Sequence, residues 1–146
     1  MLLLKRVLTY LFFITLFILF IKCNEKNLPE NDQFYGSYKA VTFFEPGQLD
    51  GGVDILAKGG NLTAELTSDY KVKGYLYIPD SIGSNYSAQN TNYSGSFTLK
   101  ADTLHFINTN TFLDNPQLFF IVKQKQLKTP EYSGRWKLFK IILQQL

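Results

Sequence analysis

Residues 71–106, KVKGYLYIPDSIGSNYSAQNTNYSGSFTLKADTLHF, alternate between apolar and polar positions in three consecutive segments. Val72, Gly74, Leu76 and Ile78 share one side of the first, and Tyr93, Gly95, Phe97 and Leu99 share one side of the second. Leu104 and Phe106 follow after a two-residue turn at Ala101-Asp102. Side chains on a strand point alternately to its two faces, so a period of two requires strands with one dry and one wet face. The opposite positions carry Lys71, Lys73, Ser94, Ser96, Thr98, Lys100, Thr103 and His105, which is the wet face of an antiparallel meander.

The first residues stand apart from this pattern. A basic pair, Lys5-Arg6, precedes the 15 apolar-rich residues 7–21, and Lys22-Cys23 closes the run. A short apolar run behind a positive end is the pattern of a secretory signal, and it is shorter than the ~20 residues that span a bilayer comfortably. Cys23 is the sole cysteine, and the polar stretch 24–32 follows it. The arrangement resembles the processing site of bacterial lipoproteins, with Lys22 standing where that family has a small residue. The resemblance implies a signal peptide over 1–22, acylation of Cys23, a tether over 23–32 and a folded domain over 33–146. It also implies a lipid-anchored place in the bacterial cell envelope, at the outer membrane, with the membrane as partner.

Setting the signal aside changes the charge argument. Three of the 15 basic residues, Lys5, Arg6 and Lys22, leave with it, and the 12 that remain balance 12 acidic ones. A neutral chain lacks the positive excess that neutralises phosphates, so no nucleic acid is expected as a partner. Local asymmetry persists at the C-terminal end, where Lys123, Lys125, Lys128, Arg135, Lys137 and Lys140 face Glu131 alone. The 124 residues left after removing 22 from 146 suit one domain with one core. One cysteine supplies no disulfide, so apolar burial must hold that core.

In chain order, a first strand is expected over 33–44, with a shift of phase near Val41 that suggests a bulge. The stretch 45–52 is dense in turn formers, and Val53, Ile55 and Leu56 in the segment 53–58 form one or two helical turns closed by Gly59-Gly60. Further strands are expected over 61–67, 71–78, 118–123, 126–132 and 135–144, with a long polar loop over 80–91. Closure of the last strand onto the first would remove both sheet edges.

Eight short antiparallel strands with one short helix after the first describe an all-β up-and-down barrel; the same strands also fit an open sandwich. The pattern resembles the calycins, the superfamily of lipocalins and fatty-acid-binding proteins, and among them the small lipocalin-like domains of bacterial secreted lipoproteins. Gly36-Ser37-Tyr38 stands where lipocalins have Gly-x-Trp, and Arg135 with Lys140 falls where the family places a basic residue over that ring. The resemblance implies a barrel that binds or carries a small apolar ligand.

An eight-stranded barrel is just wide enough to be filled by side chains or to hold one small molecule. The inward positions are Tyr38, Leu62, Leu66, Val72, Leu76, Phe97, Leu104, Phe106, Phe120, Val122, Phe139 and Ile141. Ala64, Gly74 and Gly95 are small inward positions that either leave a recess for a ligand or mark the bends of a closing barrel. The cavity candidates are therefore Tyr38, Leu62, Ala64, Leu66, Gly74, Leu76, Gly95, Phe97, Phe106, Phe120 and Phe139.

Enzyme chemistry has little to stand on. His105 falls on the wet face with no partnering nucleophile in the sequence, and Glu45, Asp50 and Asp54 match no calcium-loop spacing, so turn and capping duties suit them better. No phosphate loop, zinc spacing or dinucleotide fingerprint occurs, and no cofactor or metal is expected. The alternative to a ligand carrier is an interaction or structural lipoprotein with a filled core, using Tyr75, Tyr77, Tyr86 and Tyr93 on its outer wall or its basic C-terminal face.

Overall fold

The computed structural model describes residues 34–46, 51–80, 88–131 and 139–146. The signal segment 1–22, Cys23 with its tether to 32, Asp50, Tyr86 and Arg135 lie outside the described residues.

Nine strands form one antiparallel sheet: β1 (Gly36–Glu45), β2 (Val53–Asp54), β3 (Asn61–Leu66), β4 (Lys71–Ile78), β5 (Gln89–Lys100), β6 (Thr103–Ile107), β7 (Phe120–Lys123), β8 (Gln126–Lys128) and β9 (Lys140–Gln145). Each pairs with the next along the order β2-β1-β3-β4-β5-β6-β7-β8-β9, and β9 also pairs with β1. That last pairing, Tyr38↔Gln145 through Phe44↔Lys140, closes eight of the strands into a barrel. The expected phase shift is present as a break in register between Ala40 and Thr42, which leaves Val41 exposed on the outside.

One expectation is corrected. Residues 53–58 do not form a helix after the first strand: Val53 and Asp54 pair with Glu45 and Phe44 as β2. A tight turn follows, in which the Lys58 N–H donates to the Asp54 carbonyl at 3.2 Å and the Ala57 N–H to the Asp54 carboxylate at 3.0 Å. The Ile55 N–H donates to the Phe43 carbonyl at 2.9 Å, so the ladder with β1 wins over helix nucleation in so short a segment. Ile55 is nonetheless buried, with Val53 and Leu56 packed against the core. The helical element among the described residues is a 3-10 turn, Phe112–Asp114, capped by Thr111, whose hydroxyl accepts from the Leu113 N–H at 3.2 Å.

β5 explains how so small a barrel closes. Its first part, Gln89 to Ser96, pairs with β4, and its second part, Ser96 to Lys100, pairs with β6. The two ladders lie on opposite edges of the strand and overlap at Ser96, which pairs with both Lys71 and Ile107. Gly95 stands beside this overlap, where a Cβ would overlap the Ile107 carbonyl oxygen and come within 3.0 Å of the Asn108 carbonyl oxygen.

Candidate functional site

The interior gathers the cavity candidates into one cluster. Tyr38, Leu62, Ala64, Leu66, Leu76, Phe97, Phe106, Phe120 and Phe139 are all buried in it, together with Val72, Leu104 and Ile141. Val122 is only partly buried, at the margin. Aromatic rings gather toward both ends of the barrel. Before β1, Phe34 meets Phe97 edge-on at 6.3 Å, and Tyr70 leans on the same ring at 5.5 Å. Toward the end of β1, Phe43, Phe112 and Phe139 pack with centroids 4.3–6.0 Å apart.

No recess opens at Gly74, and Gly95 has no room for a Cβ beside the Ile107 carbonyl. Gly74 lies opposite Tyr93, and a Cβ there would overlap the Thr63 carbonyl oxygen and come within 2.6 Å of the tyrosine ring and hydroxyl. The Tyr93 hydroxyl donates to the Thr63 carbonyl at 2.7 Å, while the Tyr75 N–H turns to the Thr63 hydroxyl at 3.1 Å. Glycine at 74 therefore makes room for a phenol whose polar tip is satisfied by backbone. Tyr93 is 4% exposed, so it does not belong to an outer tyrosine surface, and burial holds its hydroxyl far above the ordinary tyrosine range. Tyr75 and Tyr77 are half-buried on the outside, and Tyr75 donates to Asn90 at 2.9 Å.

Tyr38 occupies the place expected from the Gly-x-Trp resemblance, at 1% exposed, and donates its hydroxyl to the Phe34 carbonyl. Burial pushes its pKa up to about 12. Lys140 does not cover this ring. It pairs in register with Phe44, at the far end of β1 from Tyr38, and its ammonium lies 4.0 Å from Glu131 on the outside. Gln145 stands opposite Tyr38 instead and donates from Nε2 to the Tyr35 carbonyl at 2.6 Å.

The outer wall carries two depressions formed by described residues. The first, about 570 Å³, lies at β3, β4 and β5, where Val72 and Gly95 line it together with Glu65, Thr67, Asp69, Lys71, Lys73, Ser94 and Ser96. The second, about 510 Å³, lies at β5 and β6 between Thr98, His105, Phe106, Ile107, Asp114 and Pro116. Asn108 borders both. His105 lies outward as expected, with its ring 5.5 Å from that of Phe119. In the sequence these serines are simply the wet positions of β5; nothing in the alternation signals a depression beside them. Phe34, Phe43, Leu113, Leu118 and Leu127 are also buried, beyond the inward positions that alternation assigns. Phe34 shares the alternate positions of Gly36 and Tyr38 in the expected first strand, and Leu118 those of Phe120 and Val122, whereas Leu113 lies in a turn-rich stretch without period. Comparison with family models, with curated proteins and with solved structures finds no match to this chain in any of the three.

Proposed function

We propose that this chain is a non-enzymatic interaction module of the bacterial cell envelope, held at the outer membrane by an acylated Cys23. Its barrel is filled by its own side chains and binds partners through its outer wall. The observation that carries this reading is the Tyr93 ring seated over Gly74, with the aromatic groups toward both ends of the barrel. Space that the sequence leaves open for an apolar molecule is already occupied from within.

A carrier of a small apolar ligand is the second reading, supported by the closed eight-stranded architecture, a common host for such ligands. It requires an interior that a ligand can enter, and Tyr93 would have to leave its hydrogen bond to Thr63 to provide one.

The tether is tested by growing cells that produce the chain with radiolabelled palmitate. Label is expected on the wild-type chain and absent from Cys23→Ser. Equal labelling of both, or of neither, would contradict the anchor while leaving the filled barrel untouched.

A further inference from the structure

We infer that the outer wall of β7, β8, β9 and β1 lies against an anionic lipid surface. The inference deepens, and rests on, the reading of an envelope chain that meets its partners from outside the barrel. Register places Lys123 opposite Gln126, Gln126 opposite Gln144, and Gln144 opposite Lys39. These exposed or half-buried side chains form one row across the four strands, and the Gln126 amide donates to the Gln144 side-chain carbonyl at 2.7 Å in its middle. Three strand spacings separate the two lysines by roughly 14 Å. Lys125 stands in the turn beside the row, where its carbonyl accepts from the Gln145 N–H at 2.9 Å.

Charge and composition select the occupant. Among the described residues Lys73 pairs with Glu65, and Lys128 and Lys140 share Glu131, whereas Lys39, Lys123 and Lys125 have no ion pair. None of these last three lines either depression, so no cleft gathers them around a single phosphate. A plane of headgroups meets such a spread row of ammonium groups at several points at once. Next to the row, Ile121, Lys128, Ile142 and Thr42 make a second one, and the register break leaves Val41 beside it, 57% exposed. Apolar side chains set among lysines suit the headgroup boundary of a bilayer, whereas a nucleic-acid backbone offers them only phosphates.

The chain also enters the barrel at this edge. The Tyr35 carbonyl accepts from Gln145 Nε2 at 2.6 Å, and Leu146, 83% exposed, follows with its N–H donating to the Ser37 carbonyl at 2.9 Å. Ten residues, 24–33, separate Cys23 from Phe34, a length that reaches at most about 40 Å. An acyl group on Cys23 therefore keeps this end of the barrel within reach of the bilayer, and charge decides which wall turns toward it. Across the barrel, the β3–β4–β5 wall sets Glu65 and Asp69 against Lys71 and Lys73 and has no comparable surplus.

The test reconstitutes the full-length chain in vesicles of phosphatidylcholine, alone or with one-quarter phosphatidylglycerol, and reads acetylation of each lysine by a membrane-impermeant reagent. On the anionic vesicles Lys39, Lys123 and Lys125 should react at least threefold more slowly than on the neutral ones. Lys71 and Lys100 should not change, and molar salt should remove the difference. Lys123→Glu with Lys125→Glu, both at exposed positions, should free Lys39, and Lys71→Glu with Lys100→Glu should not. The inference is overturned if the three lysines react alike on both vesicles, if Lys71 and Lys100 are protected instead, or if Lys39 stays protected in the Lys123→Glu, Lys125→Glu variant. Protection of the three by a DNA duplex and not by vesicles would overturn the lipid assignment. Protection without palmitate on Cys23 would overturn the anchor and keep this face; palmitate without protection would do the reverse.

Discussion

The β3–β4–β5 wall and the β6–β7–β8 wall close the same barrel by different means. In the first, register runs unbroken from Lys71↔Ser96 to Ile78↔Gln89 and from Asn61↔Tyr77 to Leu66↔Val72. In the second, β6 meets β7 only through Thr103↔Ile121 and Leu104↔Phe120, and β7 meets β8 over Ile121 to Lys123. What the short ladder lacks is made up by packing: Leu113, Leu118, Phe120 and Leu127 come from turns and short strands and are at most 2% exposed. One wall is held by backbone hydrogen bonds with side chains following, the other by side chains with the backbone following.

The largest expected effect falls on the packed wall. Phe120→Ala should cost about 4 kcal/mol, because a fully buried ring that packs on Phe106 at 5.2 Å leaves a cavity with little ladder around it. Amide exchange should then quicken in β6, β7 and β8 while β3 to β5 stay protected. Uniform loss of protection would break the comparison.

Gly74→Ala tests the laddered wall. The added methyl has no space beside the Thr63 carbonyl and the Tyr93 ring, so about 3 kcal/mol should be lost, read as a lower urea midpoint. A neutral result would mean that Tyr93 yields readily, and the filled interior would lose its main support.

Next comes the splice between β8 and β9. Thr129 is fully buried, and its hydroxyl accepts from the Ile141 N–H at 2.9 Å and donates to the Phe139 carbonyl at 3.1 Å. Thr129→Val keeps the shape and strips the bonds, so about 2 kcal/mol should be lost by the same urea measurement.

The smallest effect is alkaline. Tyr38 titrates near 12 in the folded chain and near 10 when unfolded, so its neutral form is bound more tightly by the fold. Its contribution is whole below pH 10 and is lost as pH rises from 10 through about 12. Thermal melts should therefore decline over that window, and Tyr38→Phe should decline less steeply while losing about 1 kcal/mol at neutral pH for the bond to the Phe34 carbonyl.

The same contrast explains what could be read from the sequence. Alternation is the imprint of a long ladder with one dry face, so β3, β4, β5 and β6 and their inward residues were legible from Leu62 to Phe106. The 53–58 segment reads as helical because Asp50 precedes it and Gly59-Gly60 close it as they would a helix; the pairing of Val53 and Asp54 with β1 is a tertiary fact that local signals do not carry. Leu113 is buried by the 3-10 turn rather than by a period, and no pattern announces it, whereas Leu118 stands in phase with Phe120. Gly74 was visible as a small inward residue, and Tyr93 as its neighbour on the same face. That one fills the space of the other follows from their register, Gly74↔Tyr93, which the sequence leaves open.

The central claim is that the interior belongs to the protein's own side chains. Native mass spectrometry of the full-length chain, released from micelles after incubation with fatty acids and isoprenoids, tests it most directly. The expected result is the mass of the chain with any covalent acyl group and nothing more. A further mass of a fatty acid or isoprenoid that leaves on collisional activation would contradict the account.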